Sequence, residues 1–218
     1  MAVQHGDLSL TRLGHASVRI ETDAGLVVYI DPWSAVIEER PQDGDVVFVT
    51  HDDPDHYDPD AIDAVATDSA EIVVYDRVDT AALDRAVTPL AAGGSLTVAG
   101  IDVAAVPAHN RPDGDHVDED GRPFHAECEV IGLRLDVAGT TVYFASDTDF
   151  LPAHDGVRAD LFMPPIGGHY TMDWREAADF AESVGPALVL PVHYDAAETD
   201  AEAFVAELAD RGISAVLF

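Results

Sequence analysis

The hydrophobic and polar positions along this chain predict more strand than helix. Apolar residues recur at short spacing over 8–13, 17–21 and 26–30, and the turn-like Thr22-Asp23-Ala24-Gly25 joins the last two, so the chain opens as a β-meander. Val46-Val47-Phe48-Val49 is a continuous apolar run, the pattern of a strand covered on both faces, and polarity arrives abruptly at Thr50-His51. Asp58 before Pro59 marks a helix start that 61–66 continues, ahead of a strand at 71–75. The Ala-rich stretch 80–87 predicts a second short helix, and Gly93-Gly94 and Gly100 punctuate strands at 95–98 and 101–106.

Residues 110–127 mix Pro, Gly, Asp and His without periodicity and read as a long loop, a length usually tied to function. Strands follow at 130–135, 141–145 and 161–163. Asp173 stands as N-cap to a helix over 174–183, 187–190 is a buried strand, 200–211 an amphipathic helix and 214–217 a last strand. Each half thus runs from strands into helix and strand units, and no linker of distinct composition divides them. The expectation is one domain over residues 1–218, packed as a layered α/β sandwich.

Composition adds a charge problem. At 218 residues and 47% hydrophobic, the chain can bury a core without disulfides, and its one cysteine, Cys128, has no internal partner. Against 42 acidic residues stand 11 basic ones, all arginine, for a net charge of -31. Molar salt shortens the Debye length to about 3 Å and screens that self-repulsion, so the composition reads as halophilic adaptation. Acidic clusters such as 113–120 and 198–202 read as solvated faces. The same field disfavours nucleic acid and anionic membranes as partners. No apolar run approaches the ~20 residues of a membrane span and no signal-peptide pattern opens the chain, so the cytoplasm is the expected location.

The candidate chemistry lies at strand ends. Thr50-His51-Asp52-Asp53-Pro54-Asp55-His56 packs imidazoles and carboxylates into a tight loop directly after a buried strand, donors that zinc, manganese and iron accept. His109, Asp147 and His193 each follow a later predicted strand. A serine nucleophile is excluded for want of a Gly-x-Ser-x-Gly elbow, and Cys128, between Glu127 and Glu129, sits where a thiolate is disfavoured.

The 50–56 segment resembles the His-x-His-x-Asp-His signature of the metallo-β-lactamase superfamily, with Asp53 in the place of the second His. Leu13-Gly14-His15-Ala16-Ser17, Tyr29-Ile30-Asp31-Pro32-Trp33 and Pro165-Ile166-Gly167-Gly168-His169-Tyr170-Thr171-Met172 resemble the branch that includes ascorbate-6-phosphate lactonase. The resemblance implies a four-layer αββα sandwich and two divalent metal ions, zinc or manganese in the first instance and iron as the alternative. It implies that His51, Asp53 and His109 hold one ion, that Asp55, His56 and His193 hold the other, and that Asp147 bridges. Asp53 would harden the first position toward manganese, iron or magnesium, or else act as an acceptor behind a ligand.

The implied activity is metal-assisted hydrolysis of a small-molecule ester, lactone or phosphoester, with Asp55 taking the proton of the attacking water and His169 donating one to the leaving group. An iron-dependent oxidoreductase, and a metal-binding or regulatory module without turnover, are the competing readings. His15 and Asp31 are candidates for orienting ligands, and His116, His125 and His169 for substrate contact or for filling the first metal position. Lactonase-like relatives include oligomers, which leaves a homo-oligomer open.

Overall fold

Alternation along the strands sorts the large side chains into two cores. In a computed structural model that describes residues 1–195 and 199–218, Phe144 faces one core and its neighbour Tyr143 the other. Leu161 and Met163 likewise face away from Phe162. A period of two on a sheet covered on both sides has this effect. Glu198, in one of the acidic clusters, lies outside the described residues.

The first sheet contains β1 (Ala2–His5), β2 (Leu8–Gly14), β3 (Ser17–Thr22), β4 (Val27–Ile30), β5 (Gly44–Val49), β6 (Ala66–Tyr75) and β7 (Val87–Leu90), paired in chain order. β1 to β4 are antiparallel and β4 to β7 parallel. The second sheet repeats the plan. β8 (Ser95–Val98), β9 (Ile101–Ala108), β10 (Val130–Val137) and β11 (Thr140–Phe144) are antiparallel, and β12 (Leu161–Met163) and β13 (Leu188–Val189) extend it in parallel. The larger core, with Leu10, Val18, Ile30, Phe48, Leu133 and Phe144, draws on both sheets. Helix α1 (Pro59–Val65) adds Ile62 and Val65 to it, while α2 (Trp174–Val184) and α3 (Ala201–Asp210) bury Phe180, Phe204 and Leu208 with Tyr143 and Phe162 in the smaller core. The result is the αββα sandwich.

The helices begin where their caps dictate. Asp58 accepts from the Asp60 and Ala61 N–H groups ahead of α1, and Asp173 accepts from those of Arg175 and Glu176 ahead of α2. The helix expected over 80–87 does not form. Only Leu83 of the segment 80–86 is buried, and alanine propensity without an apolar stripe does not stabilise so short a helix. Arg85 instead bonds Asp63 and the Thr67 carbonyl, and the chain enters the edge strand β7, where Pro89 is tolerated. The strand expected at 214–217 shrinks to a single bridge between Ala215 and Val189. β1 escapes sequence reading because it buries no face. Among the described residues no helix is long and apolar enough to cross a membrane.

His154 shows how the smaller core treats an ionisable group. Its ring stacks on Phe180 at 4.6 Å and 4°, its Nε2–H donates to the Pro107 carbonyl at 2.8 Å, and its Nδ1 accepts from the Leu151 N–H at 3.2 Å. That is the neutral tautomer, and burial lowers its pKa from 6.5 to about 4. Between these values the unfolded chain binds a proton that the native state refuses, so this contribution is complete above pH 6.5 and is lost as pH falls toward about 4. At constant molar salt, chemical denaturation should show His154→Gln losing less stability than wild type across that window, by up to about 3 kcal/mol. Equal losses would mean that the His154 proton is not excluded.

Candidate metal centre

Both sheets end their parallel strands at one edge, and the chain turns there with side chains aimed at a common space. His15, Asp31, Ser146 and His193 all adopt positive φ, between 46° and 58°, just past β2, β4, β11 and β13 or the residues extending them. Such a backbone is costly for a residue with a Cβ and persists where the surroundings over-determine it. His193 also needs its neighbour to be glycine, since a Cβ at Gly167 would meet the His193 carbonyl oxygen at 2.9 Å and Nδ1 at 3.1 Å.

Two groups at the ends of β4 and β5 set the imidazoles. Asp31, fully buried, accepts the Thr50 N–H at 2.9 Å on Oδ1, and on Oδ2 it accepts the Thr50 hydroxyl at 2.7 Å and His56 Nδ1–H at 2.8 Å. The Thr50 oxygen in turn accepts from Ser146 Oγ at 2.7 Å and from His51 Nδ1–H at 3.0 Å. With both Nδ1 atoms so engaged, the Nε2 atoms of His51 and His56 turn inward, and each is buried without a hydrogen-bond partner. Asp147 Oδ1 is buried and unpartnered as well. Buried polar atoms are normally satisfied, so three converging orphans of this kind fit a bound cation.

Asp147 lies at the centre. Its Oδ1 is 3.5 Å from His56 Nε2, and its Oδ2 is 3.3 Å from His193 Nε2 and 3.5 Å from His125 Nε2. To one side, Asp53 Oδ2 lies 3.3 Å from His125 Nε2 and 3.7 Å from His51 Nε2. To the other, Asp55 Oδ2 lies 3.8 Å from His56 Nε2 and accepts His15 Nε2–H at 2.8 Å, while the His15 ring packs on His193 at 3.9 Å. The donors of His51, Asp53 and His125 converge within 4.8 Å, as do those of His15, Asp55, His56 and His193.

The carboxylates make this space hungry for positive charge. Burial opposes protonation of His56, yet Asp147, Asp31 and Asp55 raise its pKa to about 10. Burial likewise pushes the Asp55 carboxyl up, but the His15 hydrogen bond and the charge of His56 prevail and bring it to about 2. The neighbouring imidazoles of His125 and His51 hold the Asp53 carboxyl far below the usual carboxylate range. A cation and a proton therefore compete for the same inward nitrogens.

Of the residues singled out in the sequence, His51, Asp53, Asp55, His56, Asp147 and His193 are brought together and His109 is not. His109 uses its backbone, the N–H donating to Thr148 Oγ1 and the carbonyl accepting from the Asp149 N–H, and its side chain joins none of the converging groups. The side chain that does lie against His51 and Asp53 is that of His125, from the 110–127 loop. His15 and Asp31 sit against the cluster as orienting groups. His169 is exposed, 5.3 Å from the Phe124 ring and 4.4 Å from that of Tyr170, outside the cluster. His116 pairs with Asp149 at 2.7 Å in a separate group with Glu176, where the Arg111 guanidinium, 3.3 Å from Glu176, already supplies positive charge. Sequence reasoning missed Thr50 and Asn110, and the one signal for Thr50 was its place as the first polar residue after a buried strand.

The beta-lactamase superfamily domain matches residues 9–193, a span that holds every residue of this centre. A UPF0173 metal-dependent hydrolase of Methanosphaerula palustris is 33% identical over 205 residues, 90% of this chain and 89% of the relative. A solved metal-dependent hydrolase from Parabacteroides distasonis superposes with a TM-score of 0.86 at 26% identity over 100% of this chain and 97% of that one. Igni18, a metallo hydrolase of Ignicoccus hospitalis, shares the fold with a TM-score of 0.78 at 23% identity, over 97% and 94%. Fold and site together define a member of the β-lactamase superfamily. Within it, the chain belongs to the UPF0173 metal-dependent hydrolase family.

If Asp31 fixes the His56 ring, Asp31→Asn should weaken metal binding by about 10–100-fold, as loss of the acceptor behind a ligand does elsewhere. Competition with a chelating dye measures it, and an unchanged affinity would remove Asp31 from that role.

Proposed function

We propose that this metal-dependent hydrolase cleaves a small-molecule ester, lactone or phosphoester at a centre of two divalent ions. The observation that supports this most strongly is the convergence of His51 Nε2, His56 Nε2 and Asp147 Oδ1, all buried and unpartnered. His51 and Asp53 would hold one ion, Asp55, His56 and His193 the other, and Asp147 would serve both. When bound, such ions lower the pKa of water toward neutrality and polarise the carbonyl or phosphoryl oxygen under attack.

The chain's own residues do the rest. Asp55 is ionised, and His15 holds one of its oxygens and so fixes its plane. Its other oxygen can accept the proton of an attacking water. His169 stands beside Phe124 and Tyr170, exposed, where it could donate to a departing group. The Asp53 and Asp147 carboxylates favour manganese there and the imidazoles suit zinc, while iron is the reading under which redox chemistry would replace hydrolysis. Water-driven cleavage needs no oxidant, so dioxygen uptake separates the two. The acidic composition supports a cytoplasm of high salt as the working environment.

Elemental analysis of protein purified in high salt should find about two equivalents of transition metal, falling in both His56→Ala and Asp53→Ala. Wild type without metal would sink the reading, and loss in His56→Ala alone would move Asp53 behind the ligands. Thermal stability should rise steadily from dilute buffer to molar sodium chloride, and a flat response would remove salt screening from the account.

A further inference from the structure

The loop after β9 contributes to the centre in a way that the strand-end pattern does not suggest. His125 is buried at the end of this loop, and its ring is held from behind by Asn110, which is also buried. Asn110 Oδ1 accepts the His125 N–H at 2.9 Å and His125 Nδ1–H at 3.2 Å. Its Nδ2 donates to Asp149 Oδ1 and to the Tyr170 carbonyl, both at 3.0 Å. The amide can take only one orientation, because Asp149 and the carbonyl both demand donors, so Oδ1 must face His125. Nδ1 of His125 therefore carries the proton, and its Nε2 is presented to Asp53 and Asp147. His51 and His56 are set in the same way, each with Nδ1 anchored and Nε2 inward.

We propose that His125, oriented by Asn110, joins His51 and Asp53, beside the shared Asp147, as a protein ligand of their ion, in place of the strand-end His109. This rests on the metal-centre reading above. A consequence is that occupancy of this position fastens the 110–127 loop to the cleft, since the loop's C-terminal end is then tied to an ion as well as to Asn110. Asp149 ties the other end, accepting from the Arg111 N–H at 2.8 Å and pairing with His116. Asn110 is a positioning residue and touches no ion.

Cobalt(II) serves as the probe. Wild type loaded with cobalt should bind two equivalents, His125→Ala one, and His109→Gln two. In His125→Cys a sulfur-to-cobalt charge-transfer band should arise in the near ultraviolet that is absent from wild type, whose sole thiol is Cys128, and absent from His109→Cys. Asn110→Leu should lower affinity for one of the two ions by at least about tenfold, and Asn110→Gln should restore part of it. Hydrogen exchange in the 110–127 segment should slow on cobalt binding in wild type and not in His125→Ala. Two equivalents in wild type with a band in His109→Cys and none in His125→Cys would overturn the assignment while leaving the binuclear reading intact. No bound cobalt in wild type would overturn both.

Discussion

The bond on which the centre depends is the one between Asp31 and Thr50. It joins the ends of two adjacent parallel strands, β4 and β5, through a carboxylate that is fully buried and a hydroxyl that is both donor and acceptor. Because Thr50 gives its proton to Asp31, its oxygen is free to receive those of His51 and Ser146, and Ser146 comes from the other sheet. One hydroxyl thereby decides the tautomer of an imidazole and ties together two layers of the sandwich. Such a network is strong only while each member is satisfied, and the orphaned atoms of His51, His56 and Asp147 lie on its inner side and not within it.

How far this was legible in the sequence depended on whether local pattern carried the information. Apolar runs and caps are local, so β5, β10, α1 and α2 could be read to within a few residues. The Ala-rich segment after β6 could not, because whether it coils is decided by what it packs against. For the site, the expectation that chemistry gathers at strand ends pointed to His51, Asp147 and His193, which the fold brings together, and to His109, which is not among the converging groups. That residue does follow β9, but its side chain joins none of the converging groups and its backbone bonds Thr148 and Asp149. His125 follows no strand. It reaches the cluster through the path of a loop, a tertiary property that periodicity does not encode, and Asn110, which aims it, is an ordinary polar residue until its partners are seen.

The two sheets share a plan of antiparallel strands succeeded by parallel ones, and both bring the ends of the parallel strands to the same edge. An antiparallel meander alternates the direction in which polar turns leave the sheet, whereas consecutive parallel strands all present their C-terminal ends on one side. The side chains that follow β5, β11 and β13 can therefore meet without any long excursion of the chain. Asp53, Asp55 and His56 reach the same space from the loop after β5, and His125 reaches it from the 110–127 loop.

The strained backbone at these strand ends bears on how such a protein could change over generations. His15, Asp31, Ser146 and His193 occupy conformations that glycine adopts freely and that cost other residues about 1–3 kcal/mol each. Mutation to glycine at any of them would relax the main chain while deleting a group that serves the centre. Selection for catalysis and selection for stability thus pull in opposite directions at the same four codons. A descendant released from its chemistry would drift toward a calmer, glycine-edged sandwich, its main chain relaxed at the very turns that here hold side chains.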